Sequence, residues 1–352
     1  MNSLLYPYYN ELEAFVQTLP FYNRDLQITE LVTPYAWKSP VNNIFEASLD
    51  FDESLKNVDG VIIADSPRNK FLEKDLIKKI SNALQQRKNV FCYTKLQPED
   101  KSAFINMAKE NSVSFEYVVS DGKNEAPDRI FELQDCIVIG IAGLLQEIDS
   151  FSSLLQLVYR YRQLGYRVTA VSDNPNAALC GFVPFPYSLL DGNFAFGNAI
   201  HHLNSFYNQL QFLYQPDIII TQIPGGLMKY SNNCLEDFGV KAFMLSQAIS
   251  IDYFILNSPV DYLNAHAFQK MSDVFAHRFN APINAVGIVN KRVNTAVSKE
   301  MSKIQFDTLR TESVEQYVRM LKKEEQSELL FFNTMDSNAF ENLVQNSIRK
   351  LI

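Results

Sequence analysis

DCIVIGIAGLLQEIDSFSSLLQLVYRYRQLGYRVTAVS, from Asp135 to Ser172, is the stretch whose reading decides the fold. The apolar run Cys136–Ile141 has the length of one buried strand. Gly140 and Gly143 follow, then the polar patch Gln146–Ser150. An apolar-periodic segment, Leu154–Leu164, stops at Gly165, and the β-branched run Val168–Val171 closes the unit. Strand, loop, helix, glycine, strand is a βαβ unit, whose ligand-side loop lies after the first strand.

That loop invites comparison with the phosphate-binding pattern G-x-x-x-x-G-K-[ST]. In the best register Gly143 and Ser150 fit, but Ile148 stands at the second glycine and Asp149 at the lysine. Backbone N–H groups at a helix N-terminus still attract an anion. Glu147 and Asp149, however, put negative charge where a triphosphate would lie, and no lysine is expected to reach it. The plainer reading is a βα turn in which Asp149 or Ser150 caps the helix.

Outward from this unit, 352 residues suffice for two ordinary domains, and 47% hydrophobic content supplies cores for both. The net charge of −8 argues against a nucleic-acid or anionic-membrane partner. No apolar run approaches the ~20 residues of a membrane-spanning helix. The N-terminus lacks a basic n-region, so a cytoplasmic protein is expected. Cys92, Cys136, Cys180 and Cys234 are widely spaced, which predicts reduced thiols rather than a metal or disulfide framework. No metal site is expected: His201 and His202 point apart on a helix, and His266 and His277 lack a carboxylate constellation.

Toward the N-terminus, short apolar strands (Leu4–Tyr6, Gln27–Val32, Gly60–Ala64, Asn89–Tyr93, Phe115–Val119) alternate with helical segments. This predicts a parallel sheet covered on both faces. The polar stretch Ser120–Asp128 marks a boundary, giving a Rossmann- or flavodoxin-like domain over 1–128 and a P-loop-like α/β domain over 129–352. Ligands of such sheets collect at the C-terminal strand ends. That singles out Tyr6, Tyr8, Trp37, Asp65 and Ser66 as an N-domain cleft, unless prolines and aromatics merely close strand ends there. Beyond Ser172, the apolar loop Leu179–Pro186 reads as a lid or partner surface. The run Pro216–Ile223 reads as a buried strand ending in a Pro224-Gly225-Gly226 turn.

Several of these features fall in one order. After the loop strand comes AVSDNP with Asp173, then IIITQIPGG with Gln222, Gly225 and Gly226, then GIVNK with Asn290 and Lys291. This order resembles the branch of P-loop nucleotidases that includes dethiobiotin synthetase and the nitrogenase iron protein. The resemblance implies a ligand site at Gly143, Asp149, Ser150, Asp173, Gln222, Gly225 and Gly226. It departs from that branch where the chemistry lies. Phosphoryl transfer relies on a lysine and Mg²⁺, whereas here Asp149 replaces the lysine and Gln222 the metal-side aspartate. A P-loop-like fold without nucleoside triphosphate hydrolysis is therefore expected. No cofactor is predicted, although a nucleotide remains an alternative.

Tyr6-Pro-Tyr8 with Glu11, Asp59 through Asp65-Ser66, Gly165-Tyr166, Leu179-Cys-Gly-Phe182 with Pro186, Ile223-Pro-Gly-Gly226, Phe238-Gly239 and Ser246-Gln-Ala248 are similar to the landmarks of the peptide-maturation-system proteins, which are encoded beside radical-SAM enzymes and small precursor peptides. The resemblance implies an accessory role in modifying a ribosomally made peptide, with the precursor or the radical-SAM enzyme as partner. Tyr8, Trp37, Phe182, Phe185 and Tyr187 would serve as exposed aromatic anchors. Two other classes stay open: an enzyme binding a nucleotide or another small anion at the degenerate loop, and a structural homo-oligomer.

Overall fold

The structure, a computed structural model, describes residues 1–9, 12–34, 47–66, 69–118, 129–134, 136–190, 195–231, 238–301, 303–323 and 329–351. Glu11, Trp37, Cys234 and the 120–128 stretch lie outside the described residues. The chain divides into two compact units. The first comprises Met1–Asp121 and Asn174–Pro184, the second Gly122–Asp173 and Phe185–Ile352.

The first unit contains β1 (Asn2–Tyr6), α1 (Glu13–Tyr22), β2 (Gln27–Leu31), α2 (Phe51–Leu55), β3 (Gly60–Ile63), α3 (Glu73–Gln85), β4 (Asn89–Cys92), α4 (Pro98–Asn111) and β5 (Phe115–Tyr117). Its strands are all parallel, in the order β2-β1-β3-β4-β5. This is the flavodoxin-like order, which switches direction between β1 and β3. The elements follow from their residues. Every residue of β3 is buried, as a central strand with both faces covered requires. Leu76, Ile80, Ala83 and Leu84 recur at helical spacing on α3 and enter the core. The Asp50 side chain accepts the Glu53 N–H and so starts α2. Pro98 stands at the first turn of α4, where its missing N–H costs nothing. Cys92 is fully buried, and burial pushes its thiol up to about 12, far from reactive.

The second unit begins with β6 (Ile137–Gly143), α5 (Phe151–Gln163) and β7 (Val168–Ser172). The chain then passes through the first unit's β8 (Val183–Pro184). It returns as α6 (Phe196–Tyr214), β9 (Ile218–Gly226), α7 (Val240–Ala248), β10 (Tyr253–Ser258), α8 (Ala265–Phe279) and β11 (Ile283–Ile288). After β12 (Lys291–Val293), α9 (Thr295–Met301) and β13 (Phe306–Thr308) come α10 (Thr311–Lys323), β14 (Leu330–Asn333) and α11 (Ser337–Leu351). Six strands of this unit lie in the order β14-β11-β10-β6-β9-β7, every neighbouring pair parallel. The loop-bearing strand β6 is therefore central, with β9 directly beside it, as in a P-loop-like sheet. α5 and α11 are joined by the Arg160–Glu341 ion pair at 2.7 Å and by the Tyr161–Ser347 hydroxyl contact.

Two local readings are corrected. The turn expected at Pro224-Gly225-Gly226 lies inside β9, which runs on to Gly226. Ala142 pairs with Ile223 and Gly143 with Gly226, so Pro224 and Gly225 form a bulge between them. The antiparallel pair β12–β13, with α9 between its strands, was not foreseen. Among the described residues no helix is long and apolar enough to cross a membrane.

α5 buries Phe151, Leu154, Leu155, Leu157, Val158 and Tyr161 in the second unit. Leu155 is fully buried, so Leu155→Ala should lower unfolding free energy by about 2–5 kcal/mol. The shift in urea midpoint at unchanged slope measures it.

Candidate functional site

The loop after β6 is largely apolar and folds inward. Leu144, Leu145 and Ile148 are buried. The chain doubles back so that the Ile148 N–H donates to the Leu145 carbonyl at 3.2 Å. A Cβ on Gly143 would lie 2.8 Å from the Ile148 carbonyl oxygen, so only glycine fits beneath the loop. On its outer side the Leu144 carbonyl accepts N–H bonds from Leu227 and Met228.

Asp149 caps α5: its Oδ1 accepts the N–H of Phe151 at 2.9 Å and of Ser152 at 3.4 Å. Ser150 holds the N-cap position without making a side-chain cap. A carboxylate here answers the positive end of the helix dipole, an effect worth about 0.3–1 kcal/mol. Glu147 does not share that task. It adopts a left-handed φ of 63°, and its carboxylate pairs with Lys303 at 2.9 Å. Its carbonyl accepts from the Lys291 ammonium at 3.0 Å. The expectation that no lysine reaches this loop is thus corrected: two do, one from β12 and one from the segment between α9 and β13.

Gln222 joins Ser150 to Ser172. Its Nε2 donates to Ser150 Oγ at 2.8 Å, and its Oε1 accepts from the Ser172 hydroxyl. Gln222 is 2% exposed, so its amide must find both partners inside the protein. In a nucleotidase these strand ends hold Mg²⁺ through a hydroxyl and a carboxylate. Here the serine oxygen accepts an N–H, and an amide donor cannot ligate a cation. The residues present do not fit Mg²⁺. Among the described residues no three His, Cys, Asp or Glu side chains gather at metal-binding distance.

Asn257, at the end of β10, escaped the sequence reading. Its Nδ2 donates to the Asp149 carbonyl at 2.7 Å and to Ser153 Oγ at 2.9 Å, holding the loop against the helix. A Cβ on Gly287 would come within 2.5 Å of Asn257 Oδ1, so the glycine on the neighbouring strand makes room for it. The available signal was a lone polar residue at the end of the apolar run Tyr253–Leu256. Gly226 likewise admits the loop: a Cβ there would lie 2.5 Å from the Gln146 backbone nitrogen. Gly225 takes the left-handed φ of 80° that the bulge needs. Asp173 is half-buried at the end of β7. Burial, and then the nearby Asp149 carboxylate, push its carboxyl up to about 6, while its own backbone N–H and Lys241 act the other way. Lys241 also sits 5.1 Å over the Tyr187 ring.

The structure therefore brings Gly143, Asp149, Ser150, Gln222 and Gly226 around one loop, with Asp173 near Asp149. The N-domain cleft is a different matter. Tyr6 points into the core, where its hydroxyl donates to Asp75 and its ring meets Phe51 edge-on. Burial raises its phenol well above the usual range. Tyr8 is 1% exposed, and Ser66 is buried. The Asp65 backbone is clamped by Asn176, which accepts its N–H at 2.8 Å and donates to its carbonyl at 3.3 Å. Tyr9 donates to the same carbonyl at 2.5 Å. Burial raises the Asp65 carboxyl, opposed by hydrogen bonds from Thr94 and the Ser66 N–H. These residues form a closed strand end rather than an open cleft. The aromatic anchors are corrected too: Tyr8, Phe182 and Phe185 are buried, and Tyr187 is half-buried.

No family model matches the sequence, and no curated protein does. A DUF1611 family protein from Anabaena variabilis is similar in structure, with a TM-score of 0.60 at 10% identity over 99% of both chains. At that identity the likeness is one of fold alone. A GTPase from Pyrococcus abyssi in apo form matches 61% of this chain and 97% of its own at 14% identity and TM-score 0.34. HypB from Helicobacter pylori in complex with nickel matches 62% and 89% at 11% identity and TM-score 0.32.

Two outcomes follow from the loop's geometry. Gly226→Ala sets a methyl against backbone that cannot swing aside, and should cost about 1–3 kcal/mol of stability in denaturant titration. Asp173 has its folded value above the 3.8 of an ordinary aspartate. Its stabilising contribution is therefore full below that value and lost as pH rises through about 6. Asp173→Asn should flatten this part of the stability profile, as denaturation midpoints across that pH range would record.

Proposed function

We propose that this chain is a non-hydrolytic accessory protein in the maturation of a ribosomally made peptide, binding the precursor peptide or the enzyme that modifies it. The observation that carries the non-hydrolytic part is the direct hydrogen bond from Gln222 to Ser150. It occupies the two positions between which a nucleotidase holds its metal. Asp149, at the position of the phosphate-binding lysine, is committed to the N-terminus of α5. Leu144, Leu145 and Ile148 of the loop are buried. A polyanion would have to displace a buried network and meet the Asp149 carboxylate at the same point. The peptide-maturation part is supported by the motif resemblance from Tyr6 to Asn290, and places a stable α/β platform at the service of a partner.

The isolated protein should release no phosphate from ATP or GTP with Mg²⁺ above a protein-free blank. Multiple turnovers abolished by Ser150→Ala would overturn the non-hydrolytic reading. Tagged protein should also retain a short peptide encoded beside its gene, or the adjoining radical-SAM enzyme. Retention of neither would remove the accessory role.

A further inference from the structure

α6, FGNAIHHLNSFYNQLQFLY, holds no aspartate, glutamate, lysine or arginine in its 19 residues. At the chain's 20% share of charged residues it would carry about four. The outer face of a surface helix is where such charges ordinarily go. The inner face of α6 is ordinary: Ala199, Leu203, Tyr207 and Leu210 are buried at helical spacing. One flank is covered by residues 129–134. The Asn204 side chain accepts the Phe131 N–H at 2.9 Å and donates to the Phe131 carbonyl at 2.7 Å. Asn208 donates to the same carbonyl at 3.2 Å, and Gln211 accepts the Gln134 N–H at 3.2 Å.

The arc opposite Tyr207 is left. At about 100° per residue, Ser205, Gln209, Phe212 and Leu213 turn outward, with His202 and Phe206 beside them. Phe212 is 82% exposed, Leu213 67% and Tyr214 56%. Phe131, held to Asn208 one turn before Phe212, is 54% exposed, and Ile130 44%. At about 200 Å² for each large side chain, these five expose on the order of 600 Å². The exposed Gln209 and the half-buried Ser205 and His202 adjoin them. Together they approach the ~800 Å² that each side of a standard interface covers.

Charge identifies the occupant. The chain carries a net charge of −8, so two copies repel where their charged surfaces meet. A two-fold contact sets one patch against itself and so doubles any charge the patch holds. A face without charge meets that condition, and it offers nothing to a strongly charged partner. Its glutamine, serine and histidine supply both donors and acceptors, which pair with their own kind. Charges of both signs stand at the rim: Arg129 and Glu132 are exposed, and the Arg167–Asp217 pair at 2.6 Å follows Tyr214. An apolar and neutral centre with a polar rim is the anatomy of a protein–protein interface.

We propose that α6 is a homodimer interface, on which α6 of a second copy of this chain packs antiparallel about a two-fold axis at Gln209. Phe212 of each copy then falls opposite Phe206 of the other, and Leu213 opposite Ser205. The contact goes beyond the proposed accessory role and does not depend on it.

Light scattering of the full chain over a wide concentration series should give twice the mass of one chain. Gln209→Lys and Gln209→Glu each set like charges across the axis, and each should weaken self-association about tenfold or more. Mixed in equal amounts, the two variants should dimerise again, because each lysine then meets a glutamate. Phe212→Glu should leave a monomer with unchanged circular dichroism. Hydrogen exchange of the native chain decides the matter even where a variant fails to fold: protection at 205–214 should rise with protein concentration. A monomer at every concentration, a dimer indifferent to both Gln209 variants, a mixture that stays monomeric, or exchange at 205–214 independent of concentration would each overturn the proposal. A monomer that loses a co-encoded peptide on Phe212→Glu would assign the face to that peptide, which overturns the dimer and leaves the accessory role.

Discussion

The hydrogen bond between Gln222 and Ser150 is the constraint on which the C-terminal edge of the second unit's sheet depends. A buried primary amide has both a donor end and an acceptor end to satisfy, and an unmade bond costs about 1–3 kcal/mol. Gln222 meets this by spanning the ends of two neighbouring elements, Ser150 at the start of α5 and Ser172 at the end of β7. An aspartate in its place would offer acceptors only, and would need a cation or two donors. With an amide there, the junction is neutral and closes on itself.

Around that junction, space is the second constraint. Gly143, Gly226 and Gly287 each stand where a Cβ would come within 3 Å of a loop atom or of the side chain that holds the loop. Backbone therefore packs on backbone at the C-terminal ends of β6 and β9, and Asn257 crosses over Gly287 to reach the Asp149 carbonyl. The loop needs no ligand to be ordered. The Leu144, Leu145, Glu147 and Asp149 carbonyls, the helix end and the Glu147 carboxylate find partners within the unit.

Much of the architecture was legible because it rests on local pattern. The runs GVII and IVIGIAG are apolar throughout, as strands covered on both faces must be, and Leu76, Ile80, Ala83 and Leu84 repeat at helical spacing. Proximity of Gln222 to Ser150 was readable from the order of motifs, since both end on the same edge of a parallel sheet. What escaped depends on long-range contacts without local signature. Lys291 and Lys303 reach Glu147 through a hairpin that nothing in its composition announces. Asn257 looks like any polar residue ending a strand. Tyr8, Phe182 and Phe185 looked like exposed anchors because they lie among prolines and glycines, yet an irregular backbone buries aromatic rings as well as a regular one does. Trp37 lies outside the described residues.

The two units share a way of closing their strand ends, and this bears on where a partner can be held. In open parallel sheets the crevice beyond the carboxyl ends is the usual ligand site. In the first unit that position is taken by Asn176, clamped to the Asp65 backbone in both directions. In the second it is taken by Gln222 and by the apolar filling of the loop. In the first of these ends the Asp65 main-chain groups are already taken by a side chain of the same unit. A sheet with its crevice closed still has its edges, where the hydrogen-bonding capacity of the outermost strand is intrinsic to the backbone and can be lost only by covering it. In the first unit β2 is such an edge, and Ser48 pairs with its outer side at Leu31 and Thr33.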